Sequence, residues 1–337
     1  MAKNPIDGFS IRREDIKFLG TDLKRPECVL CERNGTLWLS DERNGVVRIL
    51  PDGSQELIRQ TGATLTGAPG PQCKKSIPNG MAFAANGDLL IANYGTESLE
   101  IMRRNGETRV IYDQIDGQKL GELNFVLRDR KHRLWLTLST MKKDWIEGMY
   151  PEVADGYIAL IDDKGIRVVA EGFRYTNEVR LDAKEEYLYV AETAGKCISR
   201  LKVGEEGSLT GREVFGPSDL GPGGFPDGIA FDAFGNLWGT IVFGEKIFAI
   251  TPEGNLRIIY DDGNPEKIAE IDRSYRNHTL TEQKMKDCES PFTPWMTSVA
   301  FGSPDLRTVY IGTLTGSKIA TFRSPVAGHP MIHWGGL

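Results

Sequence analysis

Six side chains that carry oxygen recur at matched positions along the chain: Glu27, Asn79, Asn124, Asn177, Asp227 and Ser298. Each stands eleven or twelve residues before a large residue that follows a turn, namely Trp38, Leu90, Trp135, Tyr189, Trp238 and Tyr310. Two carboxylates with amide and hydroxyl oxygens, and no His or Cys, form a donor set for a hard cation. Ca2+ suits it best, because it takes about six to eight oxygens in a flexible shell. Mg2+ asks for more water and stricter geometry, and Zn2+ for His or Cys. These two and Mn2+ are the alternatives to a single Ca2+. For Asn79-Gly80 and Asp227-Gly228 taken alone, the competing reading is a turn residue before glycine. That reading fits Glu27 and Asn124 poorly, since Cys28 and Phe125 follow them.

The elements that must position these oxygens are short strands. Phe225-Pro-Asp-Gly-Ile-Ala-Phe-Asp-Ala-Phe-Gly-Asn-Leu-Trp238 reads as strand, tight turn, strand, with Asp227 in a Pro-Asp-Gly turn at the mouth of the first strand. The unit repeats, and the intervals between the six large residues are 52, 45, 54, 49 and 72. A repeat of roughly 40–50 residues made of about four strands is a propeller blade. The chain therefore reads as all-β, a six-bladed β-propeller forming one domain over residues 1–337. A pair of β-sandwiches would also supply short strands and turns, but not six in-phase anchors. In a propeller the innermost strands line the central channel, so the six oxygens are expected as a ring near one of its mouths.

These segments together resemble the SMP-30/gluconolactonase/luciferin-regenerating-enzyme family, whose fold relatives are paraoxonase and diisopropyl fluorophosphatase. The matching stretches are Arg25-Pro-Glu27, Ile77-Pro-Asn-Gly-Met-Ala-Phe83, Leu123-Asn124, Tyr175-Thr-Asn177, Phe225-Pro-Asp-Gly-Ile-Ala-Phe-Asp232 and Thr297-Ser-Val-Ala-Phe-Gly302. The resemblance implies one catalytic divalent ion, usually Ca2+, on Glu27, Asn177 and Asp227, with Asn124 as a further ligand or substrate contact. It implies ester hydrolysis, most often of a lactone. Beside such an ion the catalytic carboxylates are expected to be Asp227 and Glu27, with Asp227 as base or nucleophile, or a metal-bound hydroxide in its place. The sugar-lactonase pattern has Arg two residues before Asn124 and Asp just after it; here Glu122 and Phe125 stand there. That exchange points away from gluconolactone and toward a larger or more hydrophobic substrate. The expected substrate contacts are Asn79, Asn124, Phe125, Glu122, Trp295, Met296 and Ser298. None of His132, His278, His329 and His333 occupies a ring position, so no His base is indicated.

The rest of the chain bounds the reading. Net charge is −6 with no basic run, which argues against nucleic acid. No apolar stretch reaches membrane-spanning length, and the N-terminus lacks the apolar core of a signal peptide, so a cytoplasmic protein is expected, monomeric or homodimeric. The five cysteines require no disulfide framework. Cys28 and Cys31 lie three apart on an expected strand, where they face opposite ways and read as packed thiols. Residues 9–20 are expected to pair with the C-terminal strands and close the ring. Long connections at 61–76, 112–122 and 141–151 and an insertion at about 261–295 read as binding loops, the last as a lid. Phe225, Trp145, Met149 and Tyr150 are expected near the pocket with them.

Three function classes follow. A metal-dependent lactonase or esterase acting on a small molecule comes first. A phosphotriesterase or fluorophosphatase using the same ion is the alternative. A non-catalytic propeller scaffold is the third, since a fold alone gives no function.

Overall fold

The computed structural model describes residues 3–62 and 75–335. Most of the first long connection, residues 63–74, lies outside the described residues. Six four-stranded antiparallel sheets follow one another along the chain. Their innermost strands are Val29–Cys31, Pro78–Phe83, Leu123–Arg128, Thr176–Leu181, Pro226–Phe231 and Met296–Gly302. Each packs on the next, and the last packs on the first, which closes a six-bladed propeller around a central channel. Five blades are built from consecutive strands. The sixth takes its outermost strand, Lys17–Leu19, from the N-terminal end, and Lys17 pairs with Thr321 and Leu19 with Ile319. This pairing fastens the N-terminal strand to the last blade by backbone hydrogen bonds.

The anchor residues of the repeat have a physical explanation. Trp38, Trp135 and Trp238 are completely buried between blades. A buried indole N–H needs an acceptor. Each finds a carboxylate six residues earlier on the hairpin: Glu32 at 2.6 Å, Asp129 at 3.0 Å and Asp232 at 2.9 Å. Asp232 also accepts the backbone N–H groups of Phe234, Gly235 and Asn236, so one side chain fixes both the turn and the core ring.

The long insertion carries two helices, α2 over Pro265–Arg276 and α3 over Glu282–Lys286, and the 141–151 connection carries the single turn α1, Trp145–Gly148. Helix α2 starts at Pro265 with Asn264 as cap, its side chain accepting from Glu266 and Lys267 N–H. Its buried Ile271 and Tyr275 pack among Phe225, Val242, Phe243, Met285 and Trp295, and Ile268 sits against Gly223 and Gly263. Helix α2 is tied down by a buried ion pair, Lys196 Nζ to Asp272 Oδ1 at 3.1 Å, and by the Tyr275 hydroxyl donating to the Ala194 carbonyl. At the other end of the channel the C-terminal segment folds across the strand ends, with His333, Met331 and Trp334 against Cys31, Leu181 and Phe231. Cys28 and Cys31 are free, buried thiols, and no helix among the described residues is long and apolar enough to cross a membrane.

Candidate metal centre and cavity

The ring residues do not sit in turns. Asn79, Asn124, Asn177, Asp227 and Ser298 each lie within an innermost strand, at a break in its register with the second strand. A bulge of this kind re-aims a side chain that regular pleating would send into the sheet packing. Asn79-Gly80 and Asp227-Gly228 therefore owe their glycines to crowding: a Cβ on Gly80 would stand 2.3 Å from the Phe125 ring, and one on Gly228 2.4 Å from Ser298 Cα. Glu27 lies just ahead of the first innermost strand, and its carbonyl is held by the Thr297 hydroxyl at 2.7 Å.

Glu27, Asn79, Asn124, Asn177 and Asp227 converge on one cavity of about 450 Å³ at the mouth formed by the strand beginnings. Among the described residues, four buried oxygens there have no hydrogen-bond partner: Glu27 Oε2, Asn124 Oδ1, Asn177 Oδ1 and Asp227 Oδ1. Orphaned buried acceptors are costly and call for a ligand. Their neighbours orient them. Asn177 donates its amide to Thr193 Oγ1 at 3.1 Å, while Thr193 donates to the Pro226 carbonyl at 2.7 Å, which leaves the Asn177 amide oxygen for the cavity. Asn79 differs: its oxygen accepts from Arg25 Nη2 at 2.7 Å, and its amide donates to Glu27 Oε1 at 3.3 Å and to the Asn124 carbonyl at 2.9 Å. It braces two donors and has no oxygen to spare.

Burial pushes both carboxylic acids up. Desolvation, then the nearby Glu178 charge, raises Asp227 to about 8, and desolvation with Asp227 beside it holds Glu27 well above its ordinary value. Two buried acids that disfavour their own ionisation are what a hard dication stabilises. The set is all oxygen, two carboxylates and two amides. Among the described residues no three His, Cys, Asp or Glu gather as ligands, so amide donors are integral to it. The donors fit Ca2+, with the open side of the shell left to water or substrate.

The family model described as SMP-30/Gluconolactonase/LRE-like region matches residues 25–266. The chain belongs to this family. It is 26% identical to the gluconolactonase of Zymomonas mobilis over 271 residues, covering 74% of this chain and 73% of that one. It is 25% identical to the chicken (Gallus gallus) adipocyte plasma membrane-associated protein over 213 residues, 60% of this chain and half of that protein's length. The crystal structure of a calcium-binding protein, regucalcin from Agrobacterium tumefaciens, superposes with a TM-score of 0.66 at 16% identity, covering 93% and 96% of the two chains. That likeness concerns the propeller fold.

Against this family background the remaining expected positions divide. Trp295 lines the cavity, with Trp145 and Met149 from the 141–151 connection and Glu282 and Lys286 from α3. Phe125, Met296, Ser298 and Glu122 are not on its wall. Phe125 is turned down the channel, its ring under the Arg180 guanidinium at 4.6 Å, because the bulge aims Asn124 and not its neighbour at the mouth. Met296 packs between blades five and six, and Ser298 is pressed against Gly228 and Gly312. Glu122 lies behind Tyr175, whose hydroxyl donates to it at 3.4 Å. Phe225 and Tyr150 also stand back, Phe225 against Tyr275 and Tyr150 stacked on His278.

Several wall residues had no signal in the spacing: Arg25, Tyr94, Tyr175, Thr193, Val242, Phe243 and Leu314. Most follow second strands or precede first ones, where position depends on how the ring closes. Backbone strain marks three wall residues, with left-handed φ of +54° at Arg25, +58° at Tyr175 and +39° at Trp295. That region is uncommon for non-glycine residues, most of all for bulky ones. Glu178 and Arg180, two apart on an innermost strand, form a buried pair at 2.9 Å below the ring. Opposite charges two apart, and so on one face of an innermost strand, were the available signal for that pair.

Proposed function

We propose that this protein is a metal-dependent hydrolase that opens a lactone or related carboxylic ester. Glu27, Asn124, Asn177 and Asp227 would hold one divalent cation, Ca2+ by the chemistry of the donors. The observation that carries this reading is the set of four unpartnered buried oxygens on one cavity, two of them carboxylates. Such a cation, when bound, polarises an ester carbonyl and stabilises the developing oxyanion. The side chains do the rest. Asp227 presents Oδ1 to the cavity as the base or nucleophile, and Asn79 keeps Glu27 and Asn124 in place. A wall of Trp145, Met149, Val242, Phe243, Trp295 and Leu314 excludes water and supports the preference for a substrate with a larger, more apolar body than gluconolactone.

The test is a lactone panel on chelator-stripped protein given back Ca2+, Mg2+, Mn2+ or Zn2+, with Asp227→Ala and Asn177→Ala in parallel. Activity lost on stripping, restored by one ion and absent from both variants is the expected result. Turnover that survives chelation overturns the metal reading. Efficient turnover of gluconolactone beside poor turnover of aryl or long-acyl lactones overturns the substrate reading.

A further inference from the structure

The cavity carries one cationic group on its floor. Arg25 lines it beside Glu27, Asn79 and Tyr94, and Lys286 stands on α3. Arg25 is positioned with care: Nη2 donates to Asn79 Oδ1 at 2.7 Å, Nη1 to the Pro78 carbonyl at 3.5 Å, and the guanidinium lies over the Tyr94 ring at 5.9 Å. All three of these partners are uncharged. A guanidinium has five N–H donors in a planar fork. Two are engaged by these contacts, which leaves the others for the cavity.

The charge around it sharpens the point. Arg25 is the cation that acts electrostatically on both Glu27 and Asp227. Once those two carboxylates serve a dication, their charge is spent on it. The nearby Glu178 is already paired with Arg180. Arg25 then faces the substrate space as a positive group with unused donors, a few residues from the proposed ester-opening centre. Guanidinium forks match carboxylates in bidentate geometry and bind them more strongly than neutral acceptors.

Resting on the hydrolase reading above, we infer that Arg25 is a specificity-determining residue and that the substrate is an anionic lactone or ester. It carries a carboxylate close to the scissile bond for Arg25, and an apolar body for the wall of Trp145, Met149, Phe243 and Trp295. The side of the cavity that holds Arg25 and Asn79 reads the acid, and the side built by α1, the blade-five loop and Trp295 reads the body. Asn79 is a positioning residue for the guanidinium.

The experiment compares two matched probes, dihydrocoumarin and its ring-carboxylated analogue, on the Ca2+-loaded protein. Native protein, Arg25→Lys and Arg25→Gln are each assayed for kcat/KM. Calorimetry adds the affinity for Ca2+ and for the ring-opened carboxylated product. The native protein is expected to prefer the carboxylated probe at least tenfold, mostly through KM. Arg25→Gln is expected to abolish that preference and Arg25→Lys to keep part of it. Because Arg25 repels the cation, Arg25→Gln is also expected to bind Ca2+ several-fold more tightly, which a merely unfolded or loosened site would not do. Both lactones opening without preference, or a preference unaltered in Arg25→Gln, overturns the anion site and leaves the hydrolase reading standing. No lactone opened but Arg25-dependent binding of the carboxylated product overturns the hydrolase reading and keeps the anion site. Neither turnover nor product binding overturns both.

Discussion

Replacing Lys196 by Met removes the buried ion pair that ties α2 to the propeller, together with a longer contact to the exposed Asp219 at 3.5 Å. The Lys196 and Asp272 side chains are only 8% and 9% exposed, and their charged atoms meet at 3.1 Å. With Lys196 gone, Asp272 keeps the Gly223 N–H at 3.1 Å as a donor. Removing one partner of a buried pair costs about 3–5 kcal/mol, because a charge is left buried and uncompensated. Urea unfolding at pH 7 measures the loss. The double variant Lys196→Met with Asp272→Leu is expected to recover most of the loss, since a buried pair is often no better than well-packed apolar groups. A loss under about 1 kcal/mol would show that the buried pair does not hold the helix in place. A functional consequence comes with it. Helix α2 packs beside Phe243 and Trp295, so the single variant is expected to raise KM for an apolar lactone more than it lowers kcat.

Three further outcomes are expected. Burial holds His333 neutral, with its value lowered to about 4, its ring edge-on to Phe83 and a hydrogen bond to the Cys31 carbonyl. Stability is therefore lost as pH falls from about 6.5 to about 4, by about 3 kcal/mol, and His333→Gln is expected to flatten that part of a denaturation-versus-pH curve. Asp232→Ala strands the Trp238 indole and three backbone N–H groups, so a loss of about 3–5 kcal/mol is expected by chemical denaturation. Glu245 is fully buried and accepts from the backbone N–H groups of Ser290, Trp295 and Met296. Glu245→Ala is expected to release the strained Trp295 from the cavity wall, read as a red shift of tryptophan emission together with a raised KM.

The propeller was legible because its signals are local. Turn, anchor and ring oxygen fall within a dozen residues of each other, and strand geometry carries that spacing into space. The same counting brought Glu27, Asn79, Asn124, Asn177 and Asp227 to one cavity. It could not say which oxygens are free, because Asn79 loses its own to Arg25, a contact between blades. Nor could it foresee the bulges, which turn Asn124 to the mouth and Phe125 down the channel. Counting put Ser298 in phase with the others, yet the close approach of Gly228 and Gly312 leaves it against backbone. The acid six residues before each buried Trp was present in the sequence as a repeat of its own, and its meaning appeared only with the indole hydrogen bonds.

On the proposed reading the four unpartnered oxygens form one cation site. Calorimetric titration of chelator-treated protein with Ca2+, beside Asn177→Leu and Asp227→Asn, tests it most directly. One Ca2+ per chain is expected for the native protein, with a rise in unfolding temperature that grows with free Ca2+, and both are expected to be lost in each variant. Absence of binding by the folded native chain, or binding retained in both variants, would contradict it.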